Sequence, residues 1–301
     1  MKIFAILGDP VEHSLSPVMQ NAALRALGVD GCYIALRVAH SDLSPALHGA
    51  EAMGFAGLNL TIPLKEKALE MDFLRLDPLA EAIGAVNTIA FAGRKSCPSD
   101  TGYASDTSGM KDTNGLSMSG MTGYNTDGWG ALLALQRAGV AVKGSRVLLI
   151  GAGGAARAIG YTLASEGADL SIANRSLERG RQLAASLGAS ACRLADLDMV
   201  MPGVDTIINC TSVGMREGDG RLIEGSLLRP SQTVFDIVYN RETELLQDAR
   251  AAGAKAIDGV MMLVYQGAKA LQIWTGREAD AAVMERAVRE GLARRVSAGR
   301  K

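Results

Sequence analysis

The sequence predicts an α/β fold with two domains, the second of which is built on a doubly wound, mostly parallel sheet. Three observations lead to this prediction. The chain has 301 residues, enough for one large domain or two ordinary ones, and 48% of them are hydrophobic while 21% are charged. Short apolar runs alternate with helix-like segments almost throughout. One of these runs leads through a glycine-rich turn directly into a helix.

The first half of the chain alternates between predicted strands and predicted helices. Strands are predicted at 2–7, 31–37, 58–62 and 86–91, and helices at 17–27, 43–53 and 64–71. The first helix has apolar residues at helical spacing, at Met19, Ala22, Ala23 and Ala26. This order of elements favours a layered α/β unit.

Residues 93–122 interrupt the alternation. They are dense in Gly, Ser, Thr and Asp, and they show neither the period of a strand nor that of a helix. We predict a mobile insertion or a long hairpin loop there. Because both of its ends lie close to predicted site residues, it could cover the site, but we favour a passive loop.

The second half returns to regular alternation. Strands are predicted at 146–150, 170–173, 206–209, 233–237 and 254–257, and helices at 128–138, 155–165, 177–187, 245–252, 261–275 and 279–293. Apolar strands separated by helices of this length predict a doubly wound parallel sheet.

Charge and cysteine content exclude several classes of function. Lys plus Arg number 31 and Asp plus Glu 32, so the net charge offers no bulk attraction to nucleic acid or to an anionic membrane. The four cysteines form no CxxC pair and have no metal-ligand spacing with the three histidines. We therefore predict a cytoplasmic protein with free thiols, no metal site, and neither a nucleic-acid nor a membrane partner.

The clearest local signal is the glycine-rich turn after the predicted strand at 146–150. Gly151, Ala152, Gly153, Gly154, Ala155 and Ala156 follow the pattern G-x-G-x-x-G/A between a strand and a helix. Gly151 allows the tight turn, Gly153 lets backbone N–H groups approach a pyrophosphate, and the helix N-terminus stabilises the anion. The sequence thus predicts a dinucleotide site; the alternative is a turn that serves packing alone.

The end of the next predicted strand indicates which dinucleotide binds. An NAD site usually places Asp or Glu there to hold the ribose 2′-hydroxyl. Here the residues are Asn174, Arg175 and Ser176, with Arg179 one helical turn later. Two guanidinium groups suit a 2′-phosphate by charge and by bidentate geometry, which favours NADP. The alternative is a pair of solvated arginines at a helix start.

A series of short motifs resembles the shikimate dehydrogenase family. They occur in the order expected of that family and cover nearly the whole chain outside 93–122. The motifs are SLSP (14–17), NLTIPLK (59–65), GAVNT (84–88), YNTDG (124–128), GAGGAARA (151–158), NRS (174–176), NCTSVGM (209–215), DIVYN (236–240) and DGVMMLVYQGA (258–268).

The resemblance implies two domains with the active site in the cleft between them. Residues 1–122, including the insertion 93–122, would form the substrate-binding domain, which 260–301 would complete. Residues 123–259 would form a Rossmann-like domain that binds NADP. The reaction implied is reversible hydride transfer between NADPH and 3-dehydroshikimate, which gives shikimate.

Lys65 and Asp127 match the catalytic pair of the family. A lysine ammonium at neutral pH is a proton donor, so it suits the reduction direction, in which a carbonyl oxygen must gain a proton. We expect Lys65 to donate that proton or to stabilise the developing charge, and Asp127 to orient Lys65 and hold a substrate hydroxyl. Without the surrounding motifs, Lys65 would be interpreted as a surface lysine.

The resemblance also implies a set of binding residues. The substrate-binding residues are Ser14, Ser16, Thr61, Asn87, Asp127, Tyr239 and Gln266. The cofactor-binding residues are Gly151, Ala152, Gly153, Gly154, Ala155, Asn174, Arg175, Ser176, Arg179, Thr211, Ile237, Gly259 and Met262. Taken singly, several have structural alternatives, since Ser14 could cap a turn and Tyr239 could serve packing.

Two other functions remain open at this stage. One is a quinate/shikimate dehydrogenase of broader substrate or cofactor range, and the other is a non-catalytic ligand-binding relative. Retention of both Lys65 and Asp127 argues against the second, because a sensor does not need a proton-transfer pair. We expect a small-molecule substrate and a monomer or homodimer.

Overall fold

The structure is a computed structural model that describes residues 1–92 and 120–298. The predicted insertion at 93–122 therefore lies largely outside the described residues. Its last two residues do not fit the prediction, because Met121 and Thr122 begin a strand that pairs with Phe91 and Ala90. In the described part of the chain, no helix combines the length and the apolar character needed to cross a membrane.

The first half of the chain forms a mixed six-stranded sheet with the order β2-β1-β3-β5-β6-β4. The strand β1 runs parallel to β2 and β3, whereas β5 is antiparallel to β3 and β6. The strands are β1 (Lys2–Gly8), β2 (Gly31–Arg37), β3 (Gly57–Leu60), β4 (Arg75–Leu76), β5 (Thr88–Phe91) and β6 (Met121–Tyr124). The helices are α1 (Ser16–Ala26), α2 (Leu43–Ala52), α3 (Leu64–Lys67) and α4 (Pro78–Ile83).

The second half forms a six-stranded sheet with the order β12-β11-β10-β7-β8-β9, and every pair in it is parallel. This order is that of the doubly wound Rossmann sheet, so the predicted fold class is confirmed. The strands are β7 (Arg146–Ile150), β8 (Asp169–Asn174), β9 (Ser190–Arg193), β10 (Thr206–Asn209), β11 (Thr233–Asp236) and β12 (Lys255–Ile257). The helices are α5 (Asp127–Arg137), α6 (Gly154–Ser165), α7 (Leu177–Leu187), α8 (Leu197–Val200), α9 (Glu244–Ala251), α10 (Val260–Thr275) and α11 (Ala281–Ala298).

Several short elements were not predicted, and several predicted boundaries differ from the observed ones; α3 ends at Lys67 and α11 spans Ala281–Ala298, for example. The unpredicted elements are β4, α4, β6, β9 and α8. The strand β3 ends at Leu60 and not at residue 62, because the chain turns at Pro63, whose nitrogen cannot donate to a ladder. The strand β5 begins at Thr88 and not at residue 86, because Val86 N donates to Lys65 O and thereby ties the preceding loop to α3.

The helix α5 joins the two halves of the molecule. A Cβ atom at Gly128 would collide with Thr162 of α6, and one at Gly130 would lie 2.8 Å from Met262 O of α10. Glycine at both positions therefore lets α5 pack closely between α6 and α10. The largest apolar core contains residues of both sheets together with these three helices. This packing fixes Asp127, the first residue of α5, at the junction of the two sheets.

Candidate active site

Lys65 and Asp127 form a close ion pair at the junction of the two sheets. Lys65 Nζ lies 2.5 Å from Asp127 Oδ2, and the two side chains are 17% and 5% exposed. Asp127 begins α5, so its carboxylate also benefits from the positive end of the helix dipole. The pair is shielded from bulk water, which strengthens its mutual attraction relative to a surface pair.

Two asparagines fix the position of Asp127. Asn87 Nδ2 donates to Asp127 Oδ1 at 2.8 Å, while Asp127 N donates to Asn125 Oδ1 at 3.0 Å. Asn125 in turn donates to Ala85 O at 2.9 Å. Because Lys65 and Asn87 occupy different carboxylate oxygens, Asp127 is held in one orientation.

Asn87 is the centre of a buried hydrogen-bond network. Its Oδ1 accepts from Thr126 N at 2.9 Å and from Thr88 Oγ1 at 2.8 Å. Thr88 Oγ1 accepts from Asn59 Nδ2 at 3.0 Å, and Asn59 Oδ1 accepts from Tyr33 OH at 2.7 Å. All five residues are buried. The Lys65–Asp127 pair is thus connected through strands β5, β3 and β2 by polar groups that satisfy one another.

The other end of this network reaches the SLSP motif, whose residues 14–16 we call the serine loop. Burial raises the pKa of Tyr33 well above its ordinary value, and its hydrogen bond with Ser16 opposes that shift. Burial also raises the pKa of Tyr239, while hydrogen bonds with Ser14 and the Leu15 backbone oppose it. The structure therefore brings Ser14, Ser16 and Tyr239 together, although Tyr239 comes from the second half of the chain.

Thr61 and Gln266 lie at the edges of this region. Thr61 follows β3, and its N donates to Leu7 O at 2.9 Å. Gln266 lies on α10 against Gly130 of α5, and its Nε2 donates to Leu263 O at 2.8 Å. Both residues are half-buried, and neither side chain hydrogen-bonds to Lys65 or Asp127.

The glycine-rich turn between β7 and α6 has the geometry that the sequence predicts. Gly151 has a φ of +114°, a conformation that side chains with a Cβ rarely adopt, and a Cβ there would lie 3.1 Å from Thr211 Cγ2. No described side chain caps the first turn of α6, so its N–H groups are free to bind an anion. The turn therefore fits a dinucleotide diphosphate.

The turn lies directly beside Lys65. A Cβ at Gly154 would lie 3.2 Å from Lys65 Cβ and 3.5 Å from Ala85 Cβ. The helix α3 of the first sheet thus packs across the start of α6. A dinucleotide bound at this turn would therefore lie close to Lys65.

The residues that are predicted to bind the 2′-phosphate of NADP lie at the end of β8 and just after it. Asn174 Nδ2 donates to Ser176 O at 2.9 Å, and Ser176 caps α7 by accepting from Arg179 N. Arg175 and Arg179 are both exposed. Two cations at the N-terminus of α7, with no acidic residue at the strand end, fit a 2′-phosphate.

The remaining predicted cofactor residues line the carboxyl edge of the second sheet. Thr211 N donates to Asn209 Oδ1 at 2.9 Å, which shapes the loop after β10. A Cβ at Gly259 would collide with Ile237 O, so the loop after β11 packs against the start of α10, where Met262 is buried. Ligands of doubly wound sheets bind along this edge.

Sequence reasoning missed several residues that shape the site. Asn209 and Asp236 are buried at the ends of β10 and β11, and Asn209 Nδ2 donates to Asp236 Oδ1 at 2.8 Å. Burial raises the pKa of Asp236, although Thr243, Val238 N and Asn209 all donate to it. Tyr33 and Glu66 were also missed. Polar residues at the ends of apolar strands could have indicated Asn209 and Asp236. Glu66 has no such local signal, because it reaches this region through a contact between distant segments, in which its Oε2 lies 3.6 Å from Arg179 Nη2.

Comparison with known proteins supports this arrangement. Residues 6–89 match the family model described as the shikimate dehydrogenase substrate binding domain, 132–250 match shikimate / quinate 5-dehydrogenase, and 259–289 match the shikimate 5′-dehydrogenase C-terminal domain. The chain is 53% identical over 294 residues to the shikimate dehydrogenase (NADP(+)) of Methanothrix thermoacetophila, covering 98% of this chain and 99% of that relative.

Two solved structures share the fold along nearly the whole chain. Shikimate dehydrogenase from Aquifex aeolicus is similar with a TM-score of 0.83 and 35% identity, covering 96% of this chain and 98% of that one. Shikimate 5-dehydrogenase from Thermus thermophilus, solved in complex with NADP(H) and shikimate, has a TM-score of 0.80 and 34% identity, covering 96% and 99%. The likeness therefore extends over both sheets.

Proposed function

The chain belongs to the shikimate dehydrogenase family, and we propose that it catalyses the reversible NADPH-dependent reduction of 3-dehydroshikimate to shikimate with Lys65 and Asp127 as the catalytic pair. It is an NADP-dependent oxidoreductase that acts on a secondary alcohol. The observation that carries the residue assignment is the Lys65–Asp127 ion pair of 2.5 Å directly beside the glycine-rich turn.

NADP fits the residues that the structure places along the second sheet. The diphosphate would bind the first turn of α6 at Gly153 to Ala155, and the 2′-phosphate would bind Arg175 and Arg179. The loops at Thr211, Ile237 and Gly259, with Met262, would hold the ribose and nicotinamide. When bound, NADPH supplies the hydride that the reduction requires.

The reduction leaves negative charge on the former carbonyl oxygen, and Lys65 is placed to neutralise it. Its ammonium donates a proton or stabilises the developing alkoxide, which is general acid or electrostatic catalysis. Asp127 keeps the ammonium in place through Oδ2 and is itself oriented by Asn87 through Oδ1. In the oxidation direction, the same pair receives the hydroxyl proton.

The substrate would lie between this pair and the serine loop. The hydroxyls of Ser14 and Ser16, supported by Tyr239 and Tyr33, would bind the carboxylate. The side chains of Asn87 and Asp127 would bind ring hydroxyls close to the reacting carbon. Thr61 after β3 and Gln266 on α10 would complete the pocket. Neutral hydrogen-bonding groups suit a small polyhydroxylated acid.

One domain would bind the substrate and the other would bind NADP. Residues 1–122, completed by 260–301, would form the substrate-binding domain, and 123–259 would form the NADP-binding domain. Closure of the cleft would bring Lys65 to the nicotinamide. We further propose that the enzyme works as a monomer or homodimer in the cytoplasm, where the free thiols of Cys32, Cys192 and Cys210 would remain reduced.

Initial rates of cofactor reduction test the proposed function. Shikimate and quinate would each be assayed with NADP and with NAD on the purified protein. A strong preference for shikimate with NADP is the expected result. Comparable rates with quinate or NAD would place the chain among broad-specificity relatives, and no turnover with any combination would refute the enzymatic assignment.

A further inference from the structure

Glu66, which directly follows Lys65 in α3, lies in the proposed cofactor groove and not on the substrate side. Glu66 Oε2 is 3.6 Å from Arg179 Nη2 of α7. Glu66 Oε1 is 3.8 Å from the position that a Cβ on Gly153 would occupy. A single carboxylate of α3 therefore lies beside the glycine-rich turn and pairs with Arg179 in the first turn of α7.

These two contacts coincide with the two phosphate-binding regions of the groove. The turn at Gly153 leads into the free N–H groups of α6, which favour an anion. Arg179 is one of the two cations that suit a 2′-phosphate. Glu66 thus places a negative charge between the regions where the diphosphate and the 2′-phosphate of NADP would bind.

We propose that Glu66 is a specificity-determining residue that competes with the 2′-phosphate of NADP for Arg179. This inference rests on the proposed function, since it assumes that the groove binds NADP. To bind, the cofactor must displace the carboxylate from Arg179, and the 2′-phosphate then takes its place. NAD carries a hydroxyl in that position and does not need Arg179, so competition for this guanidinium affects NADP more than NAD.

The predicted effect is modest because both partners face solvent. The Glu66 and Arg179 side chains are 40% and 59% exposed, and exposed ion pairs contribute about 0.2–1 kcal/mol. This free energy corresponds to a change of about 1.4- to 5-fold in a dissociation constant. Replacing Glu66 by glutamine should therefore tighten NADP binding about 1.4- to 5-fold and increase the preference for NADP over NAD.

A double-mutant cycle isolates the contact. Dissociation constants for NADP and for NAD would be measured by calorimetry on the full chain for the wild type, Glu66→Gln, Arg179→Ala and the double variant. Glu70→Gln is the matched control, because it removes an equivalent charge four residues away, where Glu70 pairs with Lys67. The measurements would be repeated at high salt, where screening should reduce the difference between wild type and Glu66→Gln.

The outcomes separate this inference from the proposed function. Tighter NADP binding in Glu66→Gln, absent in Glu70→Gln and lost when Arg179 is alanine, would support the competition. An unchanged ratio of NADP to NAD affinity in Glu66→Gln, with normal NADP binding by the wild type, would overturn the inference and leave the function intact. Failure of the wild type to bind NADP would overturn both.

Discussion

Replacement of Asn87 by alanine should reduce the stability of the fold and disturb Lys65 and Asp127, the proposed catalytic pair. Asn87 donates to Asp127 Oδ1 and accepts from Thr126 N, and these partners are 4% and 2% exposed. Water cannot easily replace the lost bonds, and each buried group left without a partner costs about 1–3 kcal/mol. The free energy of unfolding should therefore fall by about 2–5 kcal/mol. Because Asp127 also loses its orientation, kcat should fall about tenfold or more.

Thr88→Val is the control that separates stability from catalysis. Thr88 Oγ1 bonds to Asn87 and Asn59, but it does not contact Asp127, and Asn59 keeps its bond to Asn87 O at 3.1 Å. The variant should lose about 1–2 kcal/mol of stability and retain most of its kcat. Urea unfolding would be followed by circular dichroism and tryptophan fluorescence, alongside initial rates. An Asn87→Ala protein with wild-type stability and kcat would refute the reasoning.

Three further predictions concern other parts of the molecule. Gly151→Ala places a side chain at a φ of +114°, so the free energy of unfolding should fall by about 1–3 kcal/mol. NADP binding should weaken as well, and a variant with the Tm and the NADP affinity of the wild type would contradict this. Hydrogen bonds from Arg146 lower the pKa of Asp205 below 3.8, so the pair stabilises the fold above that pH and loses its effect as pH falls through the lowered pKa. Asp205→Asn should thus lower Tm slightly at pH 7, because an exposed ion pair contributes little to stability, and the gap to the wild type should close as pH falls through the lowered pKa of Asp205; a gap that widens in acid would contradict the assignment. Burial raises the pKa of the Cys210 thiol, so iodoacetamide should label Cys210 only after unfolding, and rapid labelling of the native protein would show that the thiol is accessible.

Local sequence was sufficient for the parts of the fold that are continuous along the chain. The strand β7, the turn at Gly151 and the helix α6 follow one another directly, so apolar pattern and glycine spacing predicted all three. The elements β4, α4 and β6 were missed because they are only 2, 6 and 4 residues long and two of them depend on pairing with a distant strand. The strand β6 also directly follows the segment rich in Gly, Ser and Thr, so the sequence pattern did not show where the strand begins.

The residues of the site could be predicted only where the order of the motifs resembled that of a known family. Lys65 and Asp127 are 62 residues apart, and nothing in their local sequence shows that they meet. The resemblance to a known family paired them, and the structure places them in contact. The contact of Glu66 with Arg179 belongs to no local pattern, because it depends on how α3 packs across the start of α6. The network from Tyr33 to Asn87 likewise depends on the register of strands that are distant in sequence.

If Lys65 acts on the reacting oxygen and does not merely hold the substrate, its loss should lower the rate of the reaction far more than substrate affinity. The direct test is kcat for shikimate oxidation with NADP in Lys65→Met, combined with the calorimetric Kd for shikimate. Lys67→Met is the matched control, since Lys67 lies two residues away and pairs with Glu70. We predict that Lys65→Met lowers kcat by about 100-fold or more while Kd changes only a few-fold, and that Lys67→Met changes neither. A Lys65→Met enzyme that keeps its kcat would contradict the catalytic role of Lys65.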